Sequence, residues 1–295
     1  RWTGKLKPDL TANVIIANLG ILQSQFDANP WLHDVDMLVI DECHKLRKAN
    51  KVNEMVKSIK TLNKFGLTGT LPDVKPDEWN VKGKLGNVIY DKDSFSLREE
   101  KHLTQASVSV LNVKYKTKPP KAQKNDNPFY LELDFIYENA FRNNLVCKLC
   151  GNFNNNSLVL VNHIRHGEAL YDLLKNIPGK QVYFIRGDLD VEERDKIKAL
   201  MEIHDNIVCI AISAIFSTGV NIKNIHMIMF AAGGKSSVRV IQSIGRGLRL
   251  NDNKDKLLII DIADVLKYGK RHVEKRKEIY NKEKIVYKCT DIVEN

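Results

Sequence analysis

Short apolar runs alternate with amphipathic segments through the second half of the chain, and this alternation is the feature that most constrains the fold. Helix-forming segments such as His166–Lys175 and Val191–His204 separate most of the runs. The predicted strands are Leu158–Asn162, Gln181–Ile185, Ile207–Ile212, His226–Phe230 and Lys256–Asp261. Strands that alternate with helices pair in parallel, so this half is predicted to form a parallel α/β domain.

The first part of the chain shows the same alternation over fewer elements. Predicted strands cover Asn13–Ala17, Asp36–Ile40 and the residues just before Thr68. Predicted helices cover Leu19–Phe26 and Asn53–Leu62. This pattern predicts part of a second parallel sheet, so the fold class is α/β with two parallel-sheet domains.

A polar stretch interrupted by prolines, Lys116–Asn127, is typical of a linker between the two halves. A helical stretch, Leu131–Cys150, follows it, and the chain ends in a basic helix over Lys267–Lys277 and a short strand. We therefore predict a partial first domain (1–105), a linker with a connecting helix (106–140), a second domain (141–265) and a C-terminal extension (266–295).

Two adjacent carboxylates, Asp41 and Glu42, follow the predicted strand Asp36–Ile40. Open α/β sheets bind their ligands at the carboxyl ends of the strands, so both side chains are candidates for a ligand site. Asp41 is suited to hold Mg²⁺ through water, and Glu42 is suited to position or activate an attacking water. Another predicted strand runs into a small, hydroxyl-rich turn, Thr68–Gly69–Thr70.

A predicted amphipathic helix, Val238–Leu248, carries Gln242 and Arg246, and Arg249 follows it directly. Spacings of four and three residues place these three side chains on one face, and Gly245 thins the helix beside Arg246. Two guanidinium groups with a nearby amide suit a triphosphate, whose charge grows during hydrolysis. The alternative is an ordinary solvated basic helix.

Taken together, these motifs resemble those of the superfamily 2 helicases and translocases. Asp41–Glu42–Cys43–His44 matches the DEAD/DEAH-type box, and Thr68–Gly69–Thr70 matches the third motif. Ser217–Thr218–Gly219–Val220–Asn221 resembles the fifth motif, and the segment from Gln242 to Arg249 resembles the sixth. The motifs occur in the family's order, and the resemblance to UvsW-type phage recombination helicases covers nearly the whole chain.

The resemblance implies two RecA-like domains, the first truncated, with ATP and Mg²⁺ in the cleft between them. It implies ATP-driven movement on nucleic acid, with DNA favoured, by a monomeric helicase that unwinds or branch-migrates recombination or replication intermediates. The implied roles are catalysis by Asp41, Glu42, His44, Gln242, Arg246 and Arg249; cofactor binding by Gly219, Asn221 and Gly245; coupling by Thr68, Gly69 and Thr70; and nucleic-acid binding by Asn18, Asn162, Ser217 and Thr218.

The family's phosphate-binding pattern, G-x-x-x-x-G-K-[ST], does not occur in this sequence. Gly234–Lys235–Ser236 has Met229 where the pattern requires its first glycine. We therefore expect the natural protein to carry an N-terminal segment before Arg1, and we expect this chain alone to hydrolyse ATP at background rate. Two alternatives remain: a duplex translocase of remodelling or restriction type that does not separate strands, and a non-enzymatic nucleic-acid-binding fragment.

The formal net charge of +10 suits a polyanionic partner, although an AT-rich genome would produce the same lysine, asparagine and isoleucine richness. The five cysteines are scattered, which indicates a reducing compartment such as the cytoplasm of a bacterium or of a phage-infected host cell. Cys147 and Cys150 share a predicted helix face, which favours buried thiols over a zinc site. The sequence has no apolar run of about 18 residues, so no membrane span is expected.

Overall fold

The structure is a computed structural model of the 295-residue chain. It describes residues 1–3, 6–46, 51–69, 71–72, 74–216, 222–231, 244–245, 248–251 and 254–294. The chain divides into two compact units, Arg1–Asp91 (unit 1) and Lys92–Asn295 (unit 2). Each contains a parallel sheet with helices, as predicted for the α/β fold class.

The described residues of unit 1 form a two-stranded parallel sheet and three helices. Its elements are α1 (Leu19–Gln25), β1 (Leu38–Asp41), α2 (Lys51–Ser58), β2 (Lys64–Leu67) and α3 (Lys75–Leu85), with short 3-10 turns at Pro30–Asp34 and Cys43–Lys45. The register pairs Asp41 with Leu67, so both strands end at the same level. Helix α1 begins where the Asn18 side chain accepts a 2.9 Å hydrogen bond from the backbone N–H of Gly20, as an N-cap residue does.

The predicted strand Asn13–Ala17 is wrong. Among the described residues, this segment pairs only through an isolated bridge between Ala17 and Trp2. Val14 and Ile16 are 76% and 66% exposed. A β-branched run becomes a strand only where a partner strand supplies hydrogen bonds, and here the described part of the chain supplies that one bridge.

Unit 2 is built on a seven-stranded parallel sheet with the strand order β5-β6-β4-β7-β8-β3-β9. Its strands are β3 (Gln105–Lys114), β4 (Ser157–Val161), β5 (Gln181–Ile185), β6 (Ile207–Ile212), β7 (Met227–Phe230), β8 (Lys256–Asp264) and β9 (Val286–Val293). Its helices are α4 (Ser94–Glu99), α5 (Pro128–Glu138), α6 (Ala140–Gly151), α7 (Ile164–Leu174), α8 (Val191–Ile203), α9 (Ser213–Phe216) and α10 (Lys267–Lys282). All five strands predicted for this half are present.

Two apolar layers cover the two faces of this sheet. On one face, residues such as Ile197 of α8 and Tyr280 of α10 pack with the sheet, together with Ile244 and Leu248. On the other face, α6 and α7 pack through residues such as Val146. Every residue of β4 is buried, as expected for the central strands of a parallel sheet.

The predicted helical stretch Leu131–Cys150 is two helices rather than one. Asn139 lies between α5 and α6, has extended backbone angles, and accepts a 2.9 Å hydrogen bond from the backbone N–H of Arg142. An N-cap asparagine therefore starts a new helix at this point. Burial raises the pKa of Cys147 to about 11 and that of Cys150 to about 12, so both side chains of α6 are protonated packing groups near neutral pH.

The boundary between the two units lies after Asp91, whereas the predicted domain boundaries lie after residues 105, 140 and 265. Strand β3 falls within the predicted linker, yet it pairs with β8 from Gln105 to Val113 and with β9 on its other side. The predicted C-terminal extension supplies β9 and the core residues of α10. Hydrogen-bonded pairing over eight or more residues on each side of β3 makes both segments parts of unit 2.

A membrane span requires a helix of sufficient length and apolar character. None of the helices among the described residues meets both requirements.

Candidate functional site

The carboxylate pair of unit 1 lies where β1 ends, beside the end of β2. Because Asp41 pairs with Leu67, Glu42 comes level with Thr68. Asp41 is exposed and accepts a 2.9 Å hydrogen bond from the backbone N–H of Glu42 through its Oδ1. The parallel register therefore brings together two motifs that lie more than twenty residues apart in the sequence.

His44 connects the carboxylate motif to the threonine motif. Its Nδ1 lies 3.2 Å from Glu42 Oε2 and 2.9 Å from Thr68 Oγ1. An ionised carboxylate can only accept a hydrogen bond, so Nδ1 carries the proton when it bonds to Glu42. The side chains of His44 and Glu42 are 11% and 34% exposed, so the imidazole is held inside the loop while the carboxylate still reaches solvent.

The backbone of this loop is strained at Glu42 and closely packed below it. Glu42 has φ 54° and ψ 44°, a left-handed conformation that is uncommon outside glycine and asparagine. The next residue, Cys43, is buried, and its Sγ would lie only 2.7 Å from a Cβ at Gly66 in β2. Burial is the main cause that raises the pKa of the Cys43 thiol. Cys43 thus anchors the loop, and the turn at Glu42 projects the carboxylate away from that anchor.

The carboxylate arrangement fits a Mg²⁺ ion held mainly by water and ligand oxygens. The described residues contain no group of three or more His, Cys, Asp or Glu side chains placed to hold a metal. Mg²⁺ in phosphoryl-transfer sites keeps several waters and uses one or two carboxylates together with substrate phosphates. The exposed Asp41 can provide such a carboxylate at the end of β1.

Several predicted site residues lie outside the described part of the chain. They are Thr70, Ser217, Thr218, Gly219, Asn221, Gln242 and Arg246. Of the sixth motif, Gly245 and Arg249 are described and half-buried, while Ile244 and Leu248 are buried in the core of unit 2. A Cβ at Gly245 would meet no described atom within 4 Å.

Thr104, which the sequence patterns missed, holds the backbone of the sixth motif. Its N–H donates to the carbonyl oxygen of Leu248 at 2.7 Å, and its hydroxyl donates to that of Arg249 at 3.3 Å. Thr104 is 3% exposed and directly precedes β3. No local pattern marks this residue, because its role depends on contacts with a segment that lies far along the chain.

Two predicted nucleic-acid contacts, Asn18 and Asn162, lie at helix-proximal turns. The side chain of Asn18 serves as the N-cap of α1, and the residue is exposed. Asn162 directly follows β4 at the carboxyl edge of the seven-stranded sheet. At the same edge, Ser213 Oγ donates a 3.0 Å hydrogen bond to the carbonyl of Val161. The position of Asn162 suits ligand contact because the carboxyl edge is where such sheets bind their ligands.

A buried ion pair, also missed from the sequence, ties together the carboxyl ends of β3, β7 and β8. Arg142 Nε donates to Asp264 Oδ1 at 2.7 Å, and Arg142 Nη2 donates to Asp264 Oδ2 at 3.2 Å and to the carbonyl of Ala231. Tyr115 Oη donates to the same carboxylate. Arg142 therefore fixes the point where the chain leaves β7, from which it continues to the sixth motif.

Comparison with known proteins points to one family. Residues 141–251 match the model of the helicase conserved C-terminal domain. The ATP-dependent DNA helicase UvsW of enterobacteria phage T4 is 30% identical over 238 residues, which is 79% of this chain and 47% of that protein. The chain thus spans about half the length of this curated relative.

Solved structures show the same likeness. The crystal structure of T4 UvsW matches with a TM-score of 0.52 at 25% identity, over 95% of this chain and 58% of that one. Dbp5 of S. cerevisiae, solved with RNA and ADP BeF3, matches with a TM-score of 0.62 at 15% identity, over 95% of this chain and 65% of that one. At that identity, the second match shows a shared fold.

Proposed function

The chain belongs to the superfamily 2 helicases, and we propose that the natural protein carrying it is an ATP-dependent DNA helicase. In this proposal, ATP hydrolysis drives movement on DNA and the unwinding or branch migration of recombination or replication intermediates. The protein acts as a monomer in the cytoplasm of a bacterium or an infected host cell. The likeness to a phage DNA helicase supports DNA over RNA as its substrate.

The observation that carries the proposal is the contact of Glu42 and Thr68 with one imidazole nitrogen of His44. Glu42 is proposed to orient the attacking water and accept its proton. His44 Nδ1 lies within hydrogen-bond distance of both the Glu42 carboxylate and the Thr68 hydroxyl. Movement of Glu42 when the water or phosphate beside it changes would therefore displace His44 and, through it, Thr68. This connection suits the coupling role proposed for Thr68, Gly69 and Thr70.

The remaining roles follow the family motifs. Asp41 is proposed to hold Mg²⁺ through water, and the ion, when bound with ATP, would neutralise charge that develops on the phosphate oxygens. We propose that the triphosphate is contacted by Gln242, Arg246 and Arg249. A guanidinium group can donate two parallel hydrogen bonds to phosphate oxygens. Further proposed contacts are those of Gly219, Asn221 and Gly245 with the cofactor, and those of Asn18, Asn162, Ser217 and Thr218 with nucleic acid.

The substitution Glu42→Gln tests this proposal. We expect turnover in the natural protein to fall by about 10²–10⁴, because an amide keeps the shape of the side chain but cannot accept a proton. Binding of ATP and DNA should persist. The measurement is steady-state, Mg²⁺-dependent ATPase activity at saturating DNA, alongside strand displacement on a branched substrate.

Three outcomes would contradict the proposal or narrow it. Turnover within a few-fold of the unmodified protein would remove Glu42 from the reaction. DNA-stimulated hydrolysis without strand displacement would indicate a duplex translocase. No hydrolysis by the unmodified natural protein would leave a nucleic-acid-binding module.

A further inference from the structure

Helix α10 of unit 2 carries a concentration of positive charge that none of the helicase motifs uses. Its 16 residues contain seven lysines and arginines and two glutamates, a formal charge of +5 out of +10 for the whole chain. By the same count, α7 and α8 each carry −1. A genome-wide bias toward lysine would raise the charge of all three helices, so composition alone does not explain the contrast.

The seven cations of α10 have different environments: one is buried and holds the helix in place, Lys277 is half-buried and pairs with Glu274, and five are exposed. Arg276 is buried, and its guanidinium donates to both carboxylate oxygens of Asp261, at 2.8 and 2.6 Å. Tyr280 donates to Asp261 at 2.7 Å. At the other end, the Glu132 carboxylate accepts from the backbone N–H of Gly269 at 2.8 Å. Both ends of α10 are therefore anchored, and its outer face is preformed.

Four exposed cations form one face of this helix, called here the basic face: Lys267, Arg271, Lys275 and Lys282. Spacings of four, four and seven residues place them along one side, over about 22 Å at 1.5 Å per residue. None of the four forms an ion pair with a residue that the structure describes, although Glu278 lies among them. A row of unpaired cations on a fixed helix is suited to a linear polyanion.

The basic face begins at the sheet edge where nucleic acid is proposed to bind. Asn162 follows β4, and Lys267 follows β8 by three residues, both at the carboxyl edge of the parallel sheet. One strand, β7, separates β4 from β8, so the two points are about 10 Å apart across the sheet. A strand of nucleic acid contacting Asn162 could therefore continue along α10.

We propose that the basic face of α10 binds the phosphate backbone of nucleic acid, as an interface additional to the motif loops. This inference rests on the proposed function, from which it takes nucleic acid as the partner. Phosphate contacts of this kind add affinity without base specificity and make binding steeply dependent on salt.

The test is a salt series of oligonucleotide binding with two matched triple variants. One variant, Arg271→Gln/Lys275→Gln/Lys282→Gln, neutralises three cations of the basic face. The control, Lys148→Gln/Lys196→Gln/Lys256→Gln, removes the same charge from exposed, unpaired lysines on α6, on α8 and at the opposite edge of β8. Glutamine keeps helix propensity nearly constant, and thermal unfolding verifies both folds.

Binding is measured by fluorescence anisotropy of a labelled single-stranded oligonucleotide, without ATP, using the natural protein. The α10 variant should bind on the order of tenfold more weakly, and its slope of log affinity against log salt should fall by about 2. The control should stay within about twofold, with an unchanged slope.

If both variants lost oligonucleotide affinity equally, net charge alone would explain the effect and the inference would be overturned. The inference would also be overturned if neither variant lost affinity. The inference would also be overturned if the α10 variant lost binding to phosphatidylserine vesicles while keeping oligonucleotide affinity. Failure of the proposed function is separate, because it would appear as absent DNA-stimulated ATPase activity in the unmodified protein, whatever the binding result.

Discussion

Each unit has a polar cluster at the carboxyl ends of its parallel strands, and the two clusters differ in exposure. In unit 2, the Arg142 and Asp264 side chains are 0% and 3% exposed. In unit 1, the Glu42 side chain is 34% exposed and contacts His44, which also contacts Thr68. This difference in exposure shows that a position at the end of a strand does not by itself identify a ligand site. The buried cluster supports the fold, whereas the cluster with an accessible carboxylate can reach a ligand.

The clusters also differ in how their charges are satisfied. Asp264 accepts from Arg142 and from Tyr115, and burial together with the neighbouring Asp264 carboxylate raises the pKa of Tyr115. Such a network keeps its protons and its partners fixed. Glu42 instead has a left-handed backbone with φ 54°, a conformation that costs free energy in a residue with a Cβ.

The largest expected effect comes from breaking the buried pair with Arg142→Met. Removing the guanidinium leaves the Asp264 charge buried, so the free energy of unfolding of unit 2 should fall by about 3–5 kcal/mol. Urea unfolding followed by far-UV circular dichroism measures this loss. All three tryptophans, Trp2, Trp31 and Trp79, lie in unit 1, so tryptophan fluorescence should change little.

The matched control for that substitution is Arg165→Met. Arg165 pairs with Asp134 at 2.7 Å, and both side chains are more than half exposed. Exposed ion pairs contribute at most about 1 kcal/mol, so this variant should unfold almost as the unmodified chain does. Equal losses in the two variants would show that the Arg142 cluster is not the buried support described for unit 2.

A smaller effect is expected in unit 1 from Gly66→Ala. The new Cβ would lie 2.5 Å from Leu85 Cδ1 and 2.7 Å from Cys43 Sγ, so the loop carrying Glu42 must shift. We expect a loss of about 1–3 kcal/mol, the usual cost of overpacking, measured by urea unfolding with tryptophan fluorescence.

The same substitution at Gly83 provides the control for Gly66→Ala. Gly83 lies inside α3, and a Cβ there would meet no described atom within 4 Å. Alanine is favoured over glycine in helices, so Gly83→Ala should be neutral or stabilising by up to about 1 kcal/mol. Destabilisation by both changes would argue against a specific packing role for Gly66.

The correctly predicted strands are mainly apolar runs, whereas the errors occur where pairing with a distant segment determines the structure. Gln181–Ile185 and Ile207–Ile212 have the predicted bounds because each is an apolar run between clear helix and turn signals. Asn13–Ala17 has a similar composition but lacks a partner strand among the described residues. Strand β3 lies in the predicted linker, because nothing in its own residues reveals that β8 and β9 flank it.

The site shows the same limit. The adjacent residues Asp41 and Glu42 were found because a local motif carries them. The contact of His44 with Thr68, and the bonds from Thr104 to the sixth motif, depend on register and on packing between distant segments. A single sequence contains no signal for such contacts, so these positioning residues had to come from the structure.

The smallest expected effect tests the strain at Glu42 by comparing Glu42→Gly with Glu42→Ala. Both changes remove the carboxylate and its contact with His44, so both should abolish the proposed turnover. They differ in the backbone, because at φ 54° a Cβ is unfavourable and glycine has none. The glycine variant should therefore be more stable than the alanine variant by roughly 0.5–1 kcal/mol, the opposite of their order in a helix. Urea unfolding of this chain, followed by tryptophan fluorescence of unit 1, measures the difference. If alanine were the more stable, Glu42 would not be held in the left-handed conformation, and the contrast in strain between the two clusters would disappear.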